Sequence, residues 1–565
     1  MSSQWDFIIV GSGPAGCAVA AGLAHTSKKP KVLLLEAGGR NQEDSLRVDG
    51  QRWTTFHNPE LNWGYKTVPQ QHCNNRELEY HRGRMLGGSS AINFSAYTRG
   101  PREDYDRWAE KVGDETFRWE QMLQRFKRLE SFHGEFQHEE YYKYASPSPS
   151  DHGSHGPLHV GYAREWENDL PLIMDGLIAA GLERNLDLNS GNPLGIGLAS
   201  NTAYQGRRST AADLLLDAPD NLTVLAQAAV QRVILEGKKV IGVESGEHRY
   251  YAAKEVVLCA GTLDNPRILM HSGIGPRDEL ARFRIPVRHD LPAVGKGLRD
   301  HPAFAITLER KAGTNDRNAF FKNPDAMAEA QEQWDMDRTG PWARHSCQLV
   351  MGFLKMDDRL LGSSEFASLP ADVQEFLQRP TVPHWELIAN APLPQFAPGL
   401  ITDFGSVTLL AIFMNEQSVG EVRLQSSDPN VPLLFDPHFL EHPYDRKGCV
   451  DMVRELLALV RHEAIAKDTL STLVGPASDS EADILEFCRA TATSVWHMTG
   501  TVVMGAAGDP KAGVDSHFRV LGLEALRVAD MSVVPILPNN HTQSTAYVTG
   551  MTCADVMIEE YGLDV

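Results

Sequence analysis

The chain has 565 residues, 42% of them hydrophobic and 23% charged, a globular composition that excludes a disordered polar chain. At about 150 residues per domain it is long enough for two or three large folding units. The formal charge of −20 repels phosphate backbones and anionic lipid, which makes nucleic acid and membrane surfaces poor partners. No apolar run of about 18 residues is present to span a bilayer. The seven cysteines are dispersed without a CxxC pair, which removes zinc knuckles and dithiol redox motifs and suits a reducing compartment. The chain opens MSSQWDF and is in an apolar run by Phe7. That leaves no room for a signal peptide and predicts an intracellular, cytoplasmic protein.

Phe7-Ile8-Ile9-Val10 reads as a strand buried on both faces. Gly11-Ser12-Gly13-Pro14-Ala15-Gly16 follows, a GxGxxG turn opening a helix of small residues. Lys31 to Leu35 forms a second apolar strand that ends at Glu36, 20 residues beyond Gly16. This spacing predicts a dinucleotide-binding βαβ unit. Gly11 permits the tight turn, Gly13 lets backbone approach a pyrophosphate, and Gly16 allows close helix–strand packing. The helix N-terminus offers N–H groups to phosphate, and Glu36 can bond ribose hydroxyls. The unit alone does not separate FAD from NAD.

Further along, the Pro/Gly/Ser-rich stretch 146–156 reads as a loop before a strand at Leu158-His159-Val160. Segments 221–225, 231–235 and 240–244 read as a β-meander, and 255–260 as another buried strand. From 311 to 490 the character changes. Trp334, Trp342, Trp385, Phe396 and Phe413 lie among proline-punctuated loops, 420–424 alternates like an antiparallel strand, and 451–461 has helical spacing. No internal repeat or low-complexity tract is present.

Six blocks then occur in a recognisable order. His81-Arg82-Gly83-Arg84-Met85-Leu86-Gly87-Gly88-Ser89-Ser90-Ala91-Ile92-Asn93, with Tyr97-Thr98-Arg99-Gly100, resembles the first signature of the glucose–methanol–choline (GMC) oxidoreductases. Gly261-Thr262-Leu263-Asp264-Asn265-Pro266, running to Gly275, resembles the second. Val294 to Pro302, Ser418 to Val422 with Ser427-Asp428-Pro429, His497-Met498-Thr499-Gly500-Thr501, and Leu526–Asp530 with Asn540-His541-Thr542 complete the set. The resemblance covers nearly the whole chain. It implies an α/β (α+β overall) architecture, with a Rossmann-type FAD-binding domain and an antiparallel-sheet substrate domain. The expected boundaries are 1–310 for the FAD domain with insertions, 311–490 for the substrate domain, and 491–565 for a return to the FAD domain.

FAD is the cofactor the resemblance implies, held by Gly11, Gly13, Gly16, Glu36, Gly87, Gly88, Ser89, Ser90, Asn93, Val230, Asp530 and Thr542. Asn93 is expected beside the flavin, the Val230 backbone near adenine, and Asp530 near the ribityl chain or pyrophosphate. Bare N–H groups and hydroxyls at 87–90 suit such a ligand. Two positions depart from the family pattern: Asn265 stands where Ser or Thr is usual, and Gly297 where Asn is common. Both are expected to alter loop packing rather than chemistry. Members that tether FAD do so through a His at the position of Ile92, so non-covalent FAD is predicted.

Among 21 histidines, the resemblance singles out His497 and His541 as the catalytic pair. Alcohol oxidation removes a hydroxyl proton and transfers a hydride from the carbinol carbon to flavin N5. A neutral imidazole suits the proton transfer, and a second can bond the same oxygen. His497 is assigned as base and His541 as its hydrogen-bonding partner, an assignment the sequence allows to be swapped.

Trp496, before the histidine, resembles the aromatic wall of the family's aryl- and furanic-alcohol oxidases. Phe94 and Asn540 are further substrate-side candidates. The expected substrate is a small primary alcohol, benzylic, allylic or furanic, with oxygen reduced to hydrogen peroxide or a quinone as acceptor. The alternatives are a quinone-linked dehydrogenase, a non-redox lyase or cyclase of secondary metabolism, a fatty-acid photodecarboxylase, and a scaffold on an inactive flavin fold. No metal site is expected, and the oligomeric state is open.

Overall fold

The computed structural model describes residues 5–40, 42–136, 138–389 and 404–564; Phe396 lies outside them. Strand β1 (Trp5–Val10), helix α1 (Pro14–Ala24) and strand β2 (Val32–Leu35) form the expected βαβ unit. β1 and β2 are parallel, with Val10 opposite Leu35. Phe7 to Val10 and Val32 to Leu35 are all buried, as continuous apolar runs covered on both faces require.

Strands β3 (Leu222–Leu225), β4 (Arg232–Glu236), β5 (Lys239–Ser245) and β6 (His248–Leu258) extend this sheet. The parallel order is β3-β2-β1-β6, and β6 also pairs antiparallel with β5, which pairs β4. Here the structure corrects the sequence reading. Leu222–Leu225 is not the first strand of the meander but the parallel edge strand beside β2, with Leu222 opposite Val32. The meander is β4-β5-β6. Alternation and apolarity specify a strand, but its partner is chosen by a crossover between segments distant in sequence.

A second sheet is antiparallel throughout. It comprises β7 (Pro302–Arg310), β8 (Val350–Leu354), β9 (Trp385–Ala389), β10 (Gly405–Phe413), β11 (Thr469–Val474) and β12 (Thr493–Ser494). The order is β8-β9-β10-β7-β11, with β12 also on β7. Period-two geometry divides its residues between two faces. Trp385, Leu387, Leu409 and Phe413 pack in one core with α2 (Pro443–Arg461), whose C-terminal part is the predicted 451–461 helix. The opposite face carries Glu386, Ile388, Leu410 and Ile412, paired as Glu386–Ile412 and Ile388–Leu410. The alternating strand Gly420–Arg423 forms, but in a separate three-stranded sheet with Lys296–Leu298 and Leu434–Asp436.

The chain returns to the first sheet as β13 (Leu526–Val528), parallel to β6 with Leu526 opposite Val256. It ends in α3 (Gln543–Tyr561). α3 lies so close to α1 that a Cβ on Gly550 would fall 2.3 Å from the Ala15 carbonyl oxygen. Among the described residues no helix is long and apolar enough to cross a membrane, and no group of three or more metal-ligating side chains occurs.

Candidate active site

A cavity of about 660 Å³ reaches from the ends of β1 and β2 to the face of the second sheet. Gly11, Gly13, Glu36, Gly88, Ser89, Ser90, Val230 and Asp530 line its first end. The glycines divide by role. Gly11 has φ +95°, and a Cβ on Gly16 would fall 1.9 Å from the Gly11 carbonyl oxygen, so these two close the turn against the helix. Gly16 lies outside the wall. At Gly13 a Cβ would meet no atom within 4 Å; its open side is the cavity. Gly13 is also the N-cap of α1, without a side-chain cap and with no acidic residue in the first turn. The first N–H groups and the positive dipole end therefore remain for a ligand. The second glycine loop rests on the first, with Gly87 N–H donating to the Ser12 carbonyl at 3.0 Å. Gly87, at φ +97°, turns that loop and does not line the cavity.

The polar side chains here are less free than the sequence suggests. Glu36 Oε2 accepts from Ser12 N (3.0 Å) and Ser12 Oγ (2.5 Å), and Oε1 accepts from Gly38 N (2.8 Å); burial pushes its pKa up. Ser89 Oγ accepts from Gly83 N, and Ser90 Oγ donates to the Gly87 carbonyl while accepting from Ala211 N. The Ser90 hydroxyl fastens the loop in both roles, while Ser89 Oγ, accepting from Gly83 N, keeps its O–H to donate beside the loop backbone. Asp530 Oδ2 accepts from Gly261 N (2.7 Å) and Asn265 Nδ2 (2.8 Å), and Oδ1 from Ser532 N (2.8 Å). Asn265 Nδ2 donates to Ser532 Oγ as well, and its Oδ1 accepts from Ala260 N; the single O–H of a Ser or Thr there could not make both donations. A Cβ on Gly297 would fall 2.8 Å from the Gly500 carbonyl oxygen, so this departure too is one of close packing. The side-chain-free ledge at Gly13, the uncapped helix and the acid at the end of β2 fit the diphosphate and ribose of FAD.

His497 and His541 line the other end, their ring centroids 4.9 Å apart and their planes at 77°. The His497 backbone N–H donates to Asp300 Oδ1 at 2.7 Å. Asp300 Oδ2 accepts from Tyr80 OH and from Ser494 Oγ. The Nδ1 atoms of His497 and His301 are 3.1 Å apart. Burial, and then the neighbouring His541, His301 and Arg82, hold the His497 pKa well below the usual imidazole value. Burial, then His541, lowers that of His301 to about 3. The His541 backbone N–H donates to Thr98 Oγ1 (2.8 Å), and its ring Nε2 lies 2.8 Å from Glu386 Oε1. Thr542 lines the cavity beside it, with Gln543 and Ala546 from the first turn of α3. Asn93 also lines the cavity and donates from Nδ2 to Gln543 Oε1 at 3.0 Å.

The chamber around the imidazoles is apolar on its second-sheet side, while His57, His81 and Arg82 also line the cavity, His81 packing 3.9 Å from Phe56, centroid to centroid. Leu349, Ile388, Leu410 and Ile412 form the second-sheet side. Among the described residues, the aromatics prominent between 311 and 490 do not contribute: Trp385 and Phe413 lie in the core behind that sheet, and Trp334 and Trp342 in a separate cluster. The aromatic wall comes from the N-terminal segments carrying Phe56 and Phe94 and from the histidine loop carrying Trp496. Phe56 sits 4.7 Å from Trp496 and 5.3 Å from Phe94, centroid to centroid. Trp496 has φ +61°, a left-handed conformation rare for a bulky residue. Asp300 holds both flanks of Trp496, through Ser494 Oγ and His497 N, and Ser494 Oγ also accepts the Trp496 N–H at 2.7 Å.

Asn540 is not brought to this chamber. It is fully buried and donates from Nδ2 to the Arg99 carbonyl (2.8 Å) and Thr545 Oγ1 (2.9 Å), an anchor for the turn that presents His541. The residues that pattern alone missed are Glu386, His301 and Phe56. Glu386 carried a signal, a single acid in the apolar strand Trp-Glu-Leu-Ile-Ala. His301 sat in a quoted block without a role.

Fold and cavity together are those of an FAD-dependent oxidoreductase. Residues 5–303 and 416–550 match the N- and C-terminal sequence profiles of GMC oxidoreductase. Dehydrogenase pkfF of Emericella nidulans is 31% identical over 595 residues, covering 98% of this chain and 93% of that protein. Pyranose dehydrogenase 3 of Leucoagaricus meleagris is 31% identical over 576 residues, covering 99% and 93%. A fungal aryl-alcohol oxidase superposes with a TM-score of 0.84 over 100% of both chains at 24% identity, a likeness of fold alone. The chain belongs to the GMC oxidoreductase family, FAD flavoproteins acting on CH–OH donors.

Proposed function

We propose that the protein oxidises a primary alcohol with a conjugated carbinol carbon, benzylic, allylic or furanic, to the aldehyde, with oxygen reduced to hydrogen peroxide. The observation that carries this reading is the pairing of His497 and His541 in a chamber with an apolar and aromatic wall formed by Ile388, Leu410, Ile412, Phe56 and Trp496. Such a wall favours a planar apolar substrate over one with many hydroxyls to satisfy. FAD, when bound, supplies the two-electron acceptor for hydride. The chain supplies the proton acceptor and a hydrogen bond to the alcohol oxygen. The imidazole that has taken the proton is then a cation, and positive charge at this end favours oxygen as the final acceptor.

FAD is bound without a covalent tether, because Ile92 offers no nucleophile where tethering relatives carry one. Acid precipitation tests this, with the yellow colour expected in the supernatant; colour kept in the pellet overturns it. The activity is tested by anaerobic titration with a benzylic alcohol followed by air. Bleaching reversed by air with peroxide formed supports an oxidase. Bleaching that air does not reverse indicates a dehydrogenase with a quinone-like acceptor. An unbleached flavin with benzylic, allylic and furanic alcohols overturns the reading.

A further inference from the structure

Behind the loop of Ser90 and Asn93 lies a cluster of buried charge. Arg47, Arg52 and Arg208 are each no more than 5% exposed, and Asp49 and Asp213 no more than 7%. Arg52 pairs with Asp49 at 2.6 Å, and Arg47 with Asp213 at 3.2 Å. Arg208 pairs with no carboxylate among the described residues. Its partners are neutral: Nη1 donates to Thr55 Oγ1 (2.9 Å), and Nη2 to the carbonyls of Ser90 (3.1 Å) and Asn93 (2.8 Å) and to Asn93 Oδ1 (3.3 Å). Its Nε–H is buried without a partner among the described residues. Burial, and then the neighbouring Arg52, lower its pKa to about 9, so it remains a cation at neutral pH. One positive charge is thus left over inside a chain whose net charge is −20, at a site where an unpaired ion is costly.

The contacts of that charge lead to the cofactor cavity, which both Ser90 and Asn93 line. Arginine only donates, so Asn93 turns Oδ1 toward it, and Ser95 N donates to the same oxygen at 3.0 Å. The Asn93 amide nitrogen therefore points the other way. It gives one N–H to Gln543 Oε1 at 3.0 Å and keeps the second for what fills the cavity. Arg47 and Arg52 cannot supply the same field, because each is neutralised by its own carboxylate.

We propose that Arg208 is a positioning residue of the flavin chamber and its fixed positive charge: it orients the Asn93 amide, and its unpaired charge makes bound FAD easier to reduce. Hydride adds one negative charge to a neutral flavin, so a cation held behind the wall stabilises the reduced form more than the oxidised one. The charge is locked by four hydrogen bonds and needs no reorganisation when the flavin is reduced. The inference requires FAD in the cavity, but neither a particular alcohol nor a particular electron acceptor.

The test is the two-electron potential of the flavin in the full-length, FAD-loaded protein, read by equilibration with a dye of known potential. A unit charge acting over about 10 Å at an effective dielectric of about 20 is worth about one decade in an equilibrium constant. Arg208→Gln keeps amide donors without the charge. It should shift the equilibrium about tenfold toward oxidised flavin, a fall of ~30 mV for a two-electron couple. Arg208→Lys keeps the charge and should keep most of the potential. Thr55→Asp puts a carboxylate beside Arg208 Nη1 and should lower the potential as Arg208→Gln does, with Arg208 still in place. Thr55→Asn, of similar size and neutral, should not. Equal potentials for Arg208→Gln and Arg208→Lys, or for Thr55→Asp and Thr55→Asn, overturn the proposal. If Arg208→Gln is purified without flavin, the two Thr55 variants decide the matter.

Discussion

Replacing Glu386 with Gln keeps the side chain's size and an acceptor oxygen near His541 Nε2, now 2.8 Å away, while removing the carboxyl group from beside the imidazole. A carboxylate and an imidazolium about 4 Å apart attract by about 4 kcal/mol at an effective dielectric of about 20, and this is the interaction the substitution tests. A neutral hydrogen bond of about 1 kcal/mol survives in the variant. The net loss of about 3 kcal/mol corresponds to a fall of about two decades in rate. The new amide N–H would stand where Oε2 has no partner among the described residues, so the variant should also lose about 1–3 kcal/mol of stability. The assay is stopped-flow flavin reduction by a benzylic alcohol without oxygen, with flavin content measured to show that the cofactor is retained. Glu386 lies at the chamber end, away from the glycine loops, so retention is expected. A flavin-loaded variant that reduces at the wild-type rate would refute the pairing argument.

Four further outcomes follow from the geometry. Gly13→Ala should fold normally, because its Cβ meets no protein atom within 4 Å, yet be purified with little flavin; a yellow variant would remove Gly13 from the cradle. Trp496→Ala should raise KM for a benzylic alcohol by the equivalent of ~0.5–1.5 kcal/mol of lost stacking. Thermal unfolding should show Trp496→Gly to be more stable than Trp496→Ala, since glycine adopts φ +61° without strain; equal melting temperatures would deny the strain. Glu455, which accepts from Trp385 Nε1 at 3.0 Å, has its pKa pushed up to about 7 by burial. Between the ordinary carboxylate value and about 7, the folded chain holds a proton that the unfolded chain has released. Stability therefore falls as pH rises through that window, by up to about 3 kcal/mol. Glu455→Gln should gain on the wild type in melting temperature from pH 5 to pH 8, and a gap independent of pH would contradict the shift.

Much of the site was legible as short segments. The βαβ unit could be read because a strand's apolarity, a glycine turn and an acid 20 residues on are local features fixed by backbone sterics. His497 and His541 could be read because each sits in a motif. What each histidine does could not. Glu386 reaches His541 across 155 residues and His301 reaches His497 across 196, and no local pattern encodes either contact. Asn540 and His541 are neighbours in one turn, yet one side chain is buried against the Arg99 carbonyl and the other faces the chamber. Trp385 and Glu386 are neighbours on one strand, and the pleat sends the first to the core behind the sheet and the second to the imidazole.

The sequence by itself determined the glycine cradle, the order of the blocks and the pair of histidines, because those depend on residue type and short spacing. Only the tertiary structure decided that Leu222–Leu225 is an edge strand rather than part of the meander. It also decided that the chamber is walled by Phe56, Ile388 and Ile412 rather than by the tryptophans of the second region, and that an acid and a third histidine stand behind the pair. The physical reason is that a proton's place on an imidazole depends on what lies about 3 Å from the ring. That neighbour is brought by strand pairing and sheet packing between segments far apart in the chain.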